Sequence, residues 1–339
     1  MLIILIYLYC FFTGGIMKKV NELVALLMAL TLVFVMAGCK KKEEKEVYKI
    51  GILQQLEHQA LDAATEGFKQ ALIDLLGEEN VDFDYQNAQN EPTNCASIAT
   101  KFVNDKDMDL IMANATTALQ SAAAATSEIP IVGTSITDYV SAGVVDSNDV
   151  PGRNVTGASD LAPIDQQIDL LIKLCPEAKT VGIIYTSSEA NSVFQAEKAE
   201  EIMKEKNLDV KVYTVSDSND IQAVVTTAVG EVDVIYIPTD NNLADNMEIV
   251  KNITVPAKLP VIAGEENMCS KGGLATLSIS YYSMGYSAGK MAYEILVNGA
   301  DPAEMPIQYA EEVTLKYNKE VAELIEWEIP SDMVAIEES

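Results

Sequence analysis

From residue 48 onward the chain alternates short β-branched, apolar runs with amphipathic stretches, and this alternation leaves few folds open to it. Residues 48–53, 81–85, 110–113 and 129–133 are strand-like, while 60–76, 93–104 and 117–125 between them carry apolar residues at helical spacing. Runs this apolar suit strands covered on both faces, and repeated strand, helix, strand units are accommodated by a parallel sheet flanked by helices. A second series of the same kind follows in 164–174, 180–185, 191–206, 210–215, 221–229, 232–237, 243–250 and 260–262. The chain therefore reads as α/β, with two doubly wound parallel-sheet lobes, and its 339 residues exceed one ordinary domain.

The two series meet near residues 155–161, where Pro151-Gly152 and Pro163 punctuate the chain. Residues 274–278 and the helix-like 283–297 come after the second sheet is complete, so they are expected to return to the first lobe. Residues 306–315 then read as a strand passing back. The expected lobes are residues 47–158 plus 276–304 and residues 159–275 plus 305–339. Several crossovers make a hinge, and a hinge lets the lobes close on a ligand.

The amino terminus reads as a leader, residues 1–38, with Lys18 and Lys19 ahead of an apolar stretch from 23 to 36. That stretch is too short to span a bilayer as a helix, which favours a signal peptide. It ends in Val35-Met36-Ala37-Gly38-Cys39, which looks like a lipobox with Met36 where Leu is usual. A lipid on Cys39 would anchor the chain to the outer face of the cell membrane. Residues 39–46, almost all charged, form a flexible tether. Gly14-Gly15-Ile16 is encodable as a ribosome-binding sequence just before Met17, so Met17 is expected to be the start.

Removing residues 1–38 takes away Lys18, Lys19 and Glu22, which turns 23 basic and 51 acidic residues into 21 and 50, net −29. A surface this acidic repels nucleic acid and anionic lipid headgroups. Cys95, Cys175 and Cys269 are odd in number and lack metal-site spacing, so they read as buried free thiols. His58 is the only histidine, without a second metal ligand or a nucleophile at useful spacing. No catalytic residue, metal or cofactor is therefore expected. Arg153 is the only arginine, which makes a bidentate guanidinium clamp on a ligand carboxylate improbable.

Open parallel sheets hold ligands beyond the carboxyl ends of their strands. That rule selects Gln55 to His58 after the first strand, Glu57 and His58 among them, Asn87 to Asn90 after the second, Asn114 to Thr117 with Thr116 and Thr117 after the third, and Thr134 to Asp138 after the fourth. Asp160 lies at the lobe junction; Tyr185, Glu189, Asn191, Ser192, Asp240, Asn241 and Glu265 follow strands of the second lobe. Hydroxyls and N–H groups at a helix start form a natural carboxylate site, so Thr116 and Thr117 are candidates for one, or ordinary caps. Asp138, Asp160 and Asp240 are candidates to pair with a ligand ammonium, or turn residues. Tyr139 and Tyr185 are candidate stacking partners.

In this order, Glu57-His58-Gln59-Ala60-Leu61-Asp62, Asn87-Ala88-Gln89-Asn90, Pro151 to Gly157, Ser159-Asp160, Glu189 to Ser192, Pro238-Thr239-Asp240-Asn241 and Tyr281-Tyr282-Ser283-Met284-Gly285 form a specific set. The chain from about 48 to 318 resembles the ABC-transporter substrate-binding lipoproteins of the tryptophan and aromatic amino acid uptake family. Where that family often has Asp-Pro, this chain has Asp138-Tyr139. The resemblance implies a type I periplasmic binding protein fold that captures an amino acid, Trp, Tyr or Phe, and delivers it to a permease and ATPase without chemistry of its own. A nucleoside or sugar receptor, or a receptor serving a signalling partner, would share the fold.

Overall fold

The computed structural model describes residues 47–310 and 312–337. The expected leader (1–38), lipidated Cys39 and tether (39–46) lie outside the described residues. The chain begins β1 (Tyr48–Gln54), α1 (Gln59–Leu76), β2 (Val81–Asn87), α2 (Pro92–Asn104), β3 (Met108–Asn114), α3 (Thr116–Ala125), β4 (Ile131–Ile136) and β5 (Val155–Ser159). It continues as α4 (Ile164–Leu174), β6 (Thr180–Thr186), α5 (Ala190–Glu205), β7 (Asp209–Val215), α6 (Ile221–Val229), β8 (Val234–Ile237), α7 (Asn241–Asp245) and α8 (Met247–Thr254). The remainder is β9 (Val261–Ala263), α9 (Glu266–Lys271), β10 (Ala275–Ser278), α10 (Tyr281–Tyr293), β11 (Gln308–Tyr309), β12 (Thr314–Tyr317), α11 (Lys319–Leu324) and β13 (Val334–Ala335).

Two sheets result, as the alternation requires. The first runs β11-β5-β4-β3-β1-β2 and is parallel throughout. The second runs β13-β12-β10-β9-β8-β6-β7 and is parallel except where β12 meets β10. Each sheet is covered on both faces: Leu53, Phe102 and Leu119 pack on one side of the first, Ile52, Phe68 and Ala288 on the other. In the second, Ile183 and Leu171 belong to one core, Ile184 and Met247 to the other. Register aligns the strand ends of the first lobe, since Gln54 sits opposite Asn87 and Asn114, and Asn114 opposite Thr134.

The lobe boundaries differ from those read in the sequence. β10 does not return to the first lobe: Ala275 pairs with Ile262 of β9, and Ser278 with Thr314 of β12. A four-residue strand buried on both faces has the same apolar signature in either sheet, so its sequence does not say which one it joins. The crossing follows at Ile279 and Ser280, and α10 then packs on α1 in the first lobe. β11 pairs with β5, so the last crossover lies between β11 and β12 rather than before residue 305. The single helix expected over 243–250 is broken at Asn246 into α7 and α8.

The α1–α10 contact holds the returning segment in place. A Cβ at Gly285 would overlap the Ala64 carbonyl oxygen, and one at Gly67 would overlap that of Tyr282, so the helices touch backbone to backbone at two points. Overpacking of this kind costs about 1–3 kcal/mol or more. Gly285→Ala is expected to lower the unfolding free energy by that order, read as a lower urea midpoint at an unchanged slope. An unchanged midpoint would mean that α10 can draw back from α1 without loss.

Candidate functional site

The lobes face each other across the carboxyl ends of their strands, and they touch. His58 Nε2 of the first lobe lies 3.4 Å from Asn241 Oδ1 of the second. Gln195 Nε2 on α5 donates to Thr137 Oγ1 beyond β4 at 3.3 Å. At the hinge, Asp160 Oδ2 accepts from the Tyr281 hydroxyl at 3.0 Å, and Asp160 Oδ1 from the Thr137 hydroxyl at 3.2 Å. Bonds of this length between lobes define a closed arrangement.

On the first lobe, Gln55 organises the wall. Its Nε2 donates to Asn90 Oδ1 at 2.9 Å, and its Oε1 accepts from the Thr117 N–H at 3.2 Å, so the loop after β2 and the start of α3 share one side chain. Ala115 (φ 82°) and Ser135 (φ 57°) hold left-handed backbone at the ends of β3 and β4. Non-glycine residues there carry about 1–3 kcal/mol of strain, which gathers at functional sites. His58 Nδ1, Asn114 Oδ1, Thr134 Oγ1 and Ser135 Oγ are buried without partners. Buried polar atoms are nearly always paired, so orphans gathered at adjoining strand ends mark a surface built to meet polar groups.

On the second lobe the carboxylates hold helix starts. Glu189 Oε2 accepts from the N–H and Nδ2 of Asn241 at 3.0 and 2.8 Å, and Oε1 from the Asn242 N–H at 3.0 Å. Asp240 caps α7 through Leu243 N–H at 2.9 Å and also accepts from the N–H and hydroxyl of Thr186 at 2.6 and 2.9 Å. Asn191, Ser192 and Gln195 converge on the Thr239 carbonyl oxygen at 3.2, 3.4 and 3.0 Å.

Burial dominates the ionisation of this region. It pushes Asp160 up to about 6, against the opposing hydroxyl bonds from Tyr281 and Thr137. Glu189 rises to about 7 through burial and the neighbouring Asp240 charge, and Asp240 rises as well. Burial lowers His58 to about 4, so its ring is neutral at neutral pH.

The structure thus brings together His58, Asn90, Thr116, Thr117, Asp160, Glu189, Asn191, Ser192, Asp240 and Asn241 along the facing edges. Four candidates lie elsewhere or are otherwise engaged. Glu57 is exposed and accepts from the Tyr85 hydroxyl at 3.2 Å. Asp138 closes its own turn, accepting from Ser141 N–H at 2.6 Å and Asn148 Nδ2 at 3.2 Å. Tyr185 packs on the core beneath α4 and α5, with Glu197 and Glu200 as its nearest charges. Glu265 caps α9 with both oxygens, at 2.6 Å from the N–H groups of Asn267 and Met268. Tyr139 is 0 % exposed and donates to the Ala158 carbonyl at 3.1 Å, so it is core, not a stacking wall. Arg153 pairs with Asp146 on the surface at 3.0 Å.

Gln55 and Thr137 lie within segments that the strand-end rule selects, whereas Gln195 and Tyr281 do not. Gln195 carried a signal, because it lies four residues after Asn191 and so on the same helix face. Tyr281 stood out only as part of the motif set behind the family resemblance, and nothing in the sequence pointed to its partner 121 residues away.

The folded protein holds protons on Asp160, Glu189 and Glu265 that the unfolded chain releases, so stability falls as pH rises from about 4 to about 7. His58 acts oppositely between about 4 and 6.5. The carboxyls of Asp84, Asp105, Glu231, Asp233, Glu326 and Asp332, lowered by their partners, act oppositely only at and below the ordinary carboxylate range, so above about pH 5 the three raised carboxyls outweigh His58. The ligand-free protein is expected to melt at higher temperature near pH 5 than near pH 7.5. The reverse order would mean that these carboxyls are solvated and the lobes apart.

Comparison with known proteins matches residues 49–337 to the family described as ABC transporter substrate binding protein. The chain is 38% identical over 325 residues to a tyrosine-binding protein of Clostridioides difficile (strain R20291), covering 91% of this chain and 94% of that one. A Streptococcus pneumonia structure of an ABC domain in complex with L-Trp superposes with a TM-score of 0.81 at 32% identity, covering 84% of this chain and 96% of that one. The ligand-free, open structure of a Clostridium difficile substrate-binding protein with adhesive properties gives 0.69 at 39% identity, over 86% of this chain and 100% of that one. The more identical but open structure overlays less well than the ligand-bound one, which agrees with the closed arrangement seen here.

Proposed function

Because the chain belongs to the ABC transporter substrate-binding proteins, which serve a membrane permease from outside the cytoplasm, we propose that it captures a free aromatic amino acid between its lobes. L-tyrosine and L-tryptophan, the ligands named for the two relatives, are the first to consider. The observation that carries the reading is the closed cleft itself: helix-start N–H groups and hydroxyls on one wall, buried carboxyls at the hinge and on the other. A zwitterion offers the complement to both. With the only arginine on the surface, the ligand carboxylate is met by the start of α3, by Thr116, Thr117 and the unpaired Ser135 hydroxyl.

Among the buried carboxyls, Asp160 is best placed for the ammonium. Glu189 and Asp240 already accept backbone N–H bonds that fix helices, whereas the side-chain partners of the Asp160 oxygens are two neutral hydroxyls. An ammonium beside Asp160 would draw its pKa down from about 6, so binding requires the ionised form and weakens below that pH. Closure is favoured by whatever contacts the ligand makes only with both lobes. Neutral His58 and Asn241 then meet over it.

Calorimetric titration of refolded protein with L-tyrosine, L-tryptophan and L-phenylalanine, beside nucleosides and sugars, tests the ligand class. Aromatic amino acids alone should bind; binding confined to nucleosides or sugars would replace the ligand and keep the fold. Asp160→Asn is expected to weaken binding by about 2–5 kcal/mol and to flatten its fall below pH 6. A variant with unchanged affinity would move the ammonium to another carboxyl.

The same proposal includes a lipid anchor on Cys39, supported by the Val35 to Cys39 run and the charged residues after it. Cells fed a labelled fatty acid should label the wild-type chain and not Cys39→Ala, which should be found in the soluble fraction. Label retained by the variant would exclude Cys39 as the acceptor.

A further inference from the structure

A cavity of about 370 Å³ lies beside the hinge, bounded by α1 of the first lobe, α9 and β12 of the second, and the Ile279-Ser280 crossover. Of the residues selected from the sequence as ligand contacts, it is lined only by Glu265. Its volume is within the range of small-molecule sites. Two independent features point to an occupant. Asn267 lines it, is 4 % exposed, and has no partner for either amide atom, an arrangement that folded proteins rarely leave uncompensated. The wall is also acidic: Glu265, Glu266, Glu312 and Glu337 stand against Lys316, whose Nζ is already held by both oxygens of Glu266 at 2.7 and 2.8 Å.

These carboxylates do not converge. Among the described residues no three acidic, histidine or cysteine side chains gather closely enough to hold a metal ion. An organic cation suits spread charges better, and Ala60, Ala63, Ile279 and Ile336 supply apolar wall for its body. We propose that this hinge-side cavity binds a small organic ammonium with a short apolar chain, its N–H groups accepted by the Asn267 amide oxygen and the lining carboxylates. The site is separate from the cleft and stands whether or not the cleft takes an amino acid.

Tyr281 links the two. It lines the cavity and donates its hydroxyl to Asp160 at the hinge. α1 and α9 belong to opposite lobes, so a molecule touching both favours the closed arrangement, and by reciprocity a cleft ligand tightens the ammonium site.

Saturation-transfer NMR on the purified full-length protein in detergent, with n-butylammonium as probe and 1-butanol as its uncharged counterpart, tests this. The ammonium should give transfer and butanol little, with the ammonium signal kept or strengthened when L-tyrosine or L-tryptophan is added. Asn267→Leu should weaken ammonium binding about tenfold. Ala63→Lys, at a half-buried helix position, should displace the probe with its own tethered ammonium. No transfer to folded wild-type protein, equal transfer from butanol, loss on adding either amino acid, or full binding by both variants would each overturn the proposal. Failure of the cleft reading is separate, since it shows as absent calorimetric binding of the amino acids themselves.

Discussion

The hydrogen bond from Tyr281 to Asp160 joins two of the chain's passages between lobes, and the cleft geometry follows from it. Asp160 opens the passage out of β5; Tyr281 opens α10 just after the passage out of β10. The same carboxyl takes the Thr137 hydroxyl, and Thr137 in turn takes the amide of Gln195 from the opposite lobe. One buried acid thus stands at the meeting of both lobes and two crossovers. Burial raises its pKa more than the two hydroxyl bonds lower it, so its proton is held more firmly than on a free aspartate where the lobes meet.

That connection depends in turn on α10 lying tightly on α1. Backbone contact at Gly67 and Gly285 fixes the returning helix against the first lobe, so Tyr281 has little freedom to follow the second lobe away. Opening must therefore be absorbed in short segments: the residues after Asp160, the Ile279-Ser280 pair, and the stretch between β11 and β12. The sheets themselves, each with two apolar faces, move as bodies.

The α/β class and two-lobe architecture were legible because strand runs and helix periodicity are local signals, strong in residues 48–262. Strand ends were legible for the same reason, and with them His58, Thr116, Asp160, Asn191 and Asp240. Sheet membership of β10 and β11 was not, because pairing partners such as Ile262 and Ala158 are set by tertiary packing that a two- or four-residue run does not encode. Side-chain direction failed likewise at Tyr139 and Tyr185. Tyr185 is on β6, where one step along the strand reverses the face presented, and it faces α5, while Tyr139 lies in the turn after β4, which folds its ring back into the core under β5.

The charge balance separates the cleft from the hinge-side cavity. A chain this acidic attracts any cation, so specificity for a zwitterion cannot come from net charge and must come from where partners sit. In the proposed cleft, a ligand without a carboxylate leaves the start of α3 and the Ser135 hydroxyl unmet, and such buried groups carry a desolvation cost when unpaired. In the hinge-side cavity the balance reverses: with Glu266 paired to Lys316 and the pKa of buried Glu265 raised to about 7, the exposed Glu312 and Glu337 carboxylates repel a ligand carboxylate and favour a bare ammonium. Two cavities that share the Tyr281 wall would therefore sort amines from amino acids by the presence of one anionic group.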